Sequence, residues 1–182
     1  MVDTNKIIAD FACAHGVKVY PDEISDRSYF IKYCAIINGA VYYNSEKCEP
    51  SILLHEIGHL AVLPSEIRKY IDGDVELSLL ECYENDIMEE LGYESVYTEK
   101  FNKLIHGDEE AIMAWQYCVA RYLKINPKIV LEEFRIPPKN LIKIYQAVEN
   151  TGLMLKGVSQ LVKLGLLESK EAFPNLVKYF QD

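Results

Sequence analysis

The sequence predicts an α+β fold, mostly helical, with a small N-terminal antiparallel β-sheet packed on one central helix. Three observations carry that prediction. Strand-type alternation is confined to residues 17–43, where Tyr29–Ile37 and Val41-Tyr42-Tyr43 flank Asn38-Gly39, a strong hairpin-turn signal. From residue 50 onward the apolar positions keep helical spacing, interrupted by Gly and Pro. The length of 182 residues, 49% apolar and 26% charged, suits one globular domain or one domain with a small appendage.

Composition also excludes some roles. A net charge of −9 with no Lys/Arg run argues against a nucleic-acid partner or an anionic membrane surface. Cys13, Cys34, Cys48, Cys82 and Cys118 are odd in number, widely spaced and free of any C-x-x-C pair. They read as reduced thiols rather than a disulfide framework. The start, Met-Val-Asp-Thr-Asn-Lys, lacks the apolar run of a secretory signal, and no stretch approaches the ~18 apolar residues of a membrane span. A cytoplasmic location is expected. Oligomeric state is not legible at this level.

The elements follow in order. Residues 4–15 form an amphipathic helix with Ile7, Ile8, Phe11 and Ala12 inward, stopped by Gly16, with His15 in its last turn. Val17–Tyr20 is a strand ended by Pro21-Asp22, and the hairpin around Asn38-Gly39 completes a sheet over 17–43. A central helix follows, N-capped by Ser51 and ended before Pro64. Ile52, Leu53, Leu54, Ile57, Leu60 and Ala61 make it apolar nearly all round, so it is expected to be buried.

After a connection over 64–73, Asp74 caps one long helix from Val75 to Leu91, closed by Gly92, whose glutamates read as a solvated face. A shorter helix is expected over Thr98–Ile105. Asp108-Glu109-Glu110 opens a buried helix reaching about Lys124, the natural packing partner of the central helix. Residues 128–182 read as helical throughout, with Pro137-Pro138, Gly152 and Pro174 as punctuation. Residues 1–125 are thus assigned to the main domain and 126–182 to a helical extension packed on it. Gly157–Leu167 has a helix-turn-helix outline but too few basic residues to read DNA.

The central helix carries His55-Glu56-Ile57-Gly58-His59, the pattern H-E-x-x-H. Residues four apart share one helix face, so His55 and His59 can hold one metal ion. Glu56, about 100° further round, can serve as general base toward a water on that metal. Zn2+ is the default ion for such a pair. A catalytic zinc site takes three protein ligands, so a further carboxylate is required, and no second H-x-x-G-x-x-H run supplies a histidine. Glu81, Glu84, Glu109 and Glu110 are the candidates, and spacing alone does not separate them. His15 and His106 are better explained as residues of helix ends. A strand just ahead of the helix would offer main-chain pairing to an extended peptide if it lay at the sheet edge.

From residue 16 to about 124 the layout of sheet, H-E-x-x-H helix and a later Glu-Ala helix resembles the ImmA/IrrE-type family of small zincin-like metallopeptidases. In that family the Glu-Ala helix supplies the glutamate ligand, and the matching segment here is Asp108–Trp115. The resemblance therefore implies Glu110 as third metal ligand beside His55 and His59, with Glu109 next in line. Two departures stand out: a long insertion before this helix, and Ala114-Trp115 where a Phe-Ala pair is usual. The resemblance implies a gluzincin-like zinc metallopeptidase of phage or mobile-element kinship. Its substrate would be a regulatory protein such as a repressor, cut with Glu56 as catalytic base. The alternative expectation is a non-catalytic, metal-stabilised interaction or regulatory protein of the same origin.

Overall fold

A computed structural model describes residues 3–23, 33–93, 104, 107–127, 129 and 155–182. Residues 24–32, most of the helix expected over 98–105, His106 and the Pro137-Pro138 and Gly152 region lie outside the described residues. The fold is α+β: seven helices and one three-stranded mixed sheet among the described residues.

Helix α1 (Thr4–Ala14) starts where Asp3 accepts a hydrogen bond from the Lys6 amide at 3.1 Å. It ends ahead of Gly16, whose φ of +87° only glycine adopts without strain. Strands β1 (Val19–Pro21), β2 (Cys34–Ile37) and β3 (Ala40–Tyr43) follow. Asn38 and Gly39 are both left-handed (φ 48° and 73°), the geometry that a two-residue hairpin loop requires. Strand order is β1-β3-β2, with β2 antiparallel to β3 as expected. β1, however, runs parallel to β3, Val19 opposite Val41, so the sheet is mixed rather than antiparallel. Alternation fixes which residues face inward but not which side of a later hairpin an earlier strand joins. One consequence bears on the site. The strand leading toward the central helix is paired on both sides and offers no free edge to a peptide.

Helix α2 (Pro50–Ala61) is the central helix, buried as its all-round apolar sequence requires. It begins two residues earlier than expected. Glu49 is the N-cap residue, Pro50 takes the first helical position, where its missing N–H costs nothing, and Ser51 lies buried inside the first turn. Short α3 (Ser65–Arg68) leads to α4 (Val75–Glu84), capped by Asp74 through the Leu77 amide at 3.0 Å. The single helix expected over 75–91 is broken. Asn85 turns its side chain back onto the Glu81 carbonyl at 2.8 Å, Asp86 adopts φ 59°, and α5 (Ile87–Glu90) starts anew. Asn and Asp are the side chains that tolerate the left-handed region best, so the pair acts as a joint.

Helix α6 (Glu109–Tyr122) packs on α2, and α7 (Leu155–Lys163) packs on α6. Two glycines permit these crossings. A Cβ on Gly58 would come within 2.8 Å of the Ile112 side chain, and one on Gly157 would overlap the Glu110 carbonyl.

Beyond α7 the chain is not helical as expected. It holds one 3-10 turn, Lys170–Ala172, and then runs irregularly to Asp182. Gly165 at φ 70° closes α7, with Leu166 N–H bonded to the Leu161 carbonyl at 2.9 Å. The final residues then fill the backbone gap at the end of α2. Gln181 N–H donates to the Ala61 carbonyl at 3.0 Å, and its side-chain amide donates to the Val62 carbonyl. Arg68 donates to the Gln181 carbonyl, and the Trp115 indole to that of Tyr179 at 2.5 Å. Helix C-termini leave carbonyls without intrahelical partners, and this segment supplies donors for them. No described helix is long and apolar enough to cross a membrane.

Candidate metal centre

One face of α2 presents both histidines to the start of α6. His55 Nε2 and His59 Nε2 lie 3.1 Å apart, with the rings at 90° to each other. Glu109 closes the group: its Oε2 is 3.5 Å from His55 Nε2 and its Oε1 is 3.5 Å from His59 Nε2. Among the described residues this is the one group of three or more such side chains arranged so that it could hold a metal ion.

The electrostatics favour a cation between them. Burial pulls His55 down to about 4, with its interaction with Gln116 opposing the shift. Burial and the neighbouring His55 pull His59 to about 3. Both imidazoles are therefore neutral near pH 7, and neither forms an ion pair with Glu109. Burial, with the negative charges of Asp108 and Glu76, raises the Glu109 carboxyl above its ordinary value. Lone pairs from two rings and a carboxylate converge, and only protons or a cation offset that crowding.

Glu110, the expected third ligand, is turned away. Its carboxylate accepts from Lys156 of α7 at 2.5 Å, and Lys156 also reaches Asp108 at 3.3 Å. Asp108 caps α6 through the Glu110 and Ala111 amides and accepts from Gln160 at 2.6 Å. Burial pushes Asp108 up, but the bonds from Gln160, the Ala111 amide and Lys156 outweigh it and hold its pKa below the ordinary value. The division between the two glutamates follows from helix geometry, since successive residues are about 100° apart. Glu109, Ile112 and Gln116 form the stripe toward α2: Ile112 contacts Gly58, and Gln116 donates to the Ser51 carbonyl at 3.2 Å. Glu110 and Ala114 form the stripe toward α7, where both border Gly157.

The remaining candidates lie elsewhere. Glu81 and Glu84 are exposed on α4. His15 ends α1, its Nδ1 2.8 Å from the Phe11 carbonyl and its ring stacked on Phe180. Glu56 is on α2 and almost fully buried, at 4% exposure.

A cavity of about 430 Å3 adjoins the triad, lined by His59, Glu109, Glu76, Leu79, Asp108 and Lys156 among others. The Glu109 side chain is 60% exposed, whereas those of His55 and His59 are 10% and 15% exposed. The centre is thus walled on the α2 side and approachable past Glu109. Comparison with protein-family models, with curated proteins and with solved structures gives no match to this chain.

Proposed function

We propose that the chain is a zinc-dependent peptidase that cuts a peptide bond in a protein substrate, with His55, His59 and Glu109 as metal ligands and Glu56 as general base. The observation that carries the reading is the spacing of the three donor atoms, 3.1, 3.5 and 3.5 Å. Bonds of about 2.0–2.2 Å from a tetrahedral Zn2+ put its ligand atoms about 3.3–3.6 Å apart. Two histidines and one carboxylate also match the donor set of catalytic zinc sites, which leave a fourth position open. The cavity beside Glu109 offers room for a substrate next to the triad.

Zn2+ held by His55, His59 and Glu109 would supply a water acidified to about pKa 7 and a Lewis acid for the scissile carbonyl. The protein's own share is binding, orientation and proton handling. The low pKa values of His55 and His59 keep both rings available as neutral ligands at pH 7. Glu56 accepts the proton of the attacking water and returns it to the leaving amine. Its burial keeps bulk water from competing for that proton. The resemblance to ImmA/IrrE-type peptidases points to a regulatory protein, such as a repressor, as substrate.

The test pairs metal content with cleavage. Purified protein is expected to retain about one equivalent of zinc, and so is Glu56→Gln. Incubation with candidate repressors, read by mass spectrometry, is expected to give a discrete cut with wild type and a rate at least about 100-fold lower with the variant. Equal cleavage by both removes Glu56 from the reaction. Failure of wild type to retain zinc removes the metal reading.

A further inference from the structure

The rest of the buried polar chemistry around α2 converges on one residue that the proposed reaction does not use. Gln116 lies in the middle of α6, fully buried. A polar side chain is costly there unless it is hydrogen-bonded. Its amide nitrogen donates to the Ser51 carbonyl at 3.2 Å, in the first turn of α2. The same side chain interacts with His55, whose ring lies one turn beyond Ser51 on the same helix face, although Oε1 and Nδ1 do not meet at full hydrogen-bond geometry. With the nitrogen committed to Ser51, Oε1 is the atom left to face His55. The opposite amide orientation would press Oε1 against the Ser51 carbonyl, acceptor against acceptor. A carboxamide oxygen only accepts, so the ring nitrogen that it meets carries the hydrogen. His55 Nε2 is the atom facing His59 and Glu109, which leaves the buried Nδ1 for Gln116.

We infer that Gln116 is a positioning residue: it holds His55 as the Nδ1–H tautomer and aims the bare Nε2 lone pair at the metal centre. Ligating histidines commonly give their second ring hydrogen to a carboxylate, carbonyl or water, and losing that partner weakens metal binding about 10–100-fold. Here a carboxamide on the neighbouring helix fills that place, anchored at its other end to the helix it orients. It also couples the packing of α6 on α2 to the direction of one ligand. The effect on affinity rests on the metal reading above, whereas the tautomer does not.

The experiment follows that distinction. Histidine-selective 15N NMR of the metal-free protein at pH 7 is expected to report His55 as Nδ1–H in wild type. In Gln116→Leu the expected signal is mixed or shifted to Nε2–H. Competition with a chromophoric chelator is expected to show zinc bound about 10–100-fold more weakly by Gln116→Leu. The metal-free melting temperature should stay within a few degrees throughout, separating ring orientation from general loss of structure. Should the leucine variant not fold, Gln116→Met keeps the side-chain length without the acceptor and replaces it. The inference is overturned if removing the acceptor leaves the His55 tautomer as in wild type. A wild-type protein that takes up no zinc sinks the metal reading alone, and the NMR result still decides the role of Gln116.

Discussion

Burial holds His55 near 4 and His59 near 3, against an ordinary value of 6.5. The unfolded chain takes up protons on both rings below about pH 6.5, whereas the folded chain does so only on approaching those lower values. Protons therefore favour unfolding within that window. Stability from these rings is complete above about pH 6.5 and lost progressively as the pH falls toward 4 for His55 and 3 for His59. Thermal melts of metal-free protein are expected to show this fall, and a His55→Gln/His59→Gln double variant a flatter profile. Parallel profiles would assign the acid sensitivity to other groups. The neighbouring glutamates give a second contrast. Glu109→Gln is expected to weaken zinc binding by more than about 100-fold, beyond the effect of losing a ligand's hydrogen-bond partner. Glu110→Gln should change it by less than about threefold, since it loses only an exposed ion pair with Lys156. The reverse order in a chelator titration would return the ligand role to Glu110. That His55 and His59 share one face was legible because a spacing of four is a property of any helix. Which glutamate faces them was not, because adjacent glutamates differ only in direction. The signal was present in the stripe Glu109, Ile112, Gln116, but reading it requires knowing which stripe of α6 meets α2.

Among the elements, α1, α2 and α6 were legible because each carries its own periodicity and boundary residues. The break between α4 and α5 was hidden by an apolar stripe continuing through it, although Asn85-Asp86 marked the place. The direction of β1 was hidden because parallel and antiparallel partners bury the same alternate residues. The crossing of α7 on α6 depends on a residue without a side chain. Gly157→Ala would ordinarily strengthen a helix by about 1 kcal/mol. Here the added methyl meets the Glu110 carbonyl and the Ala114 side chain, so a net loss of about 1–3 kcal/mol is expected instead. Urea unfolding measures it, and a stabilised variant would show that the two helices part easily. The same crossing holds Lys156 against Glu110, so zinc affinity should change little.

At the scale of the whole molecule, the α+β class was legible from composition and the confined strand region. The path of the last residues was not. Their partners at Ala61 and Val62 lie far away in sequence, and nothing local distinguishes a chain that caps a remote helix from one that continues a nearby helix. Phe180 anchors this segment, its ring 5.6 Å from that of Trp115 and 5.9 Å from that of Phe11. Phe180→Ala is expected to cost about 3–5 kcal/mol in equilibrium unfolding. The bonds from Gln181 and Arg68 close loops of 119 and 113 residues. Loop entropy must be spent before such contacts return anything, so docking of the final segment belongs after the rate-limiting step of folding. In stopped-flow experiments Phe180→Ala should speed unfolding and leave the refolding limb almost unmoved. The segment then governs how long a folded molecule lasts rather than how quickly one forms, like a latch dropped after the door has shut.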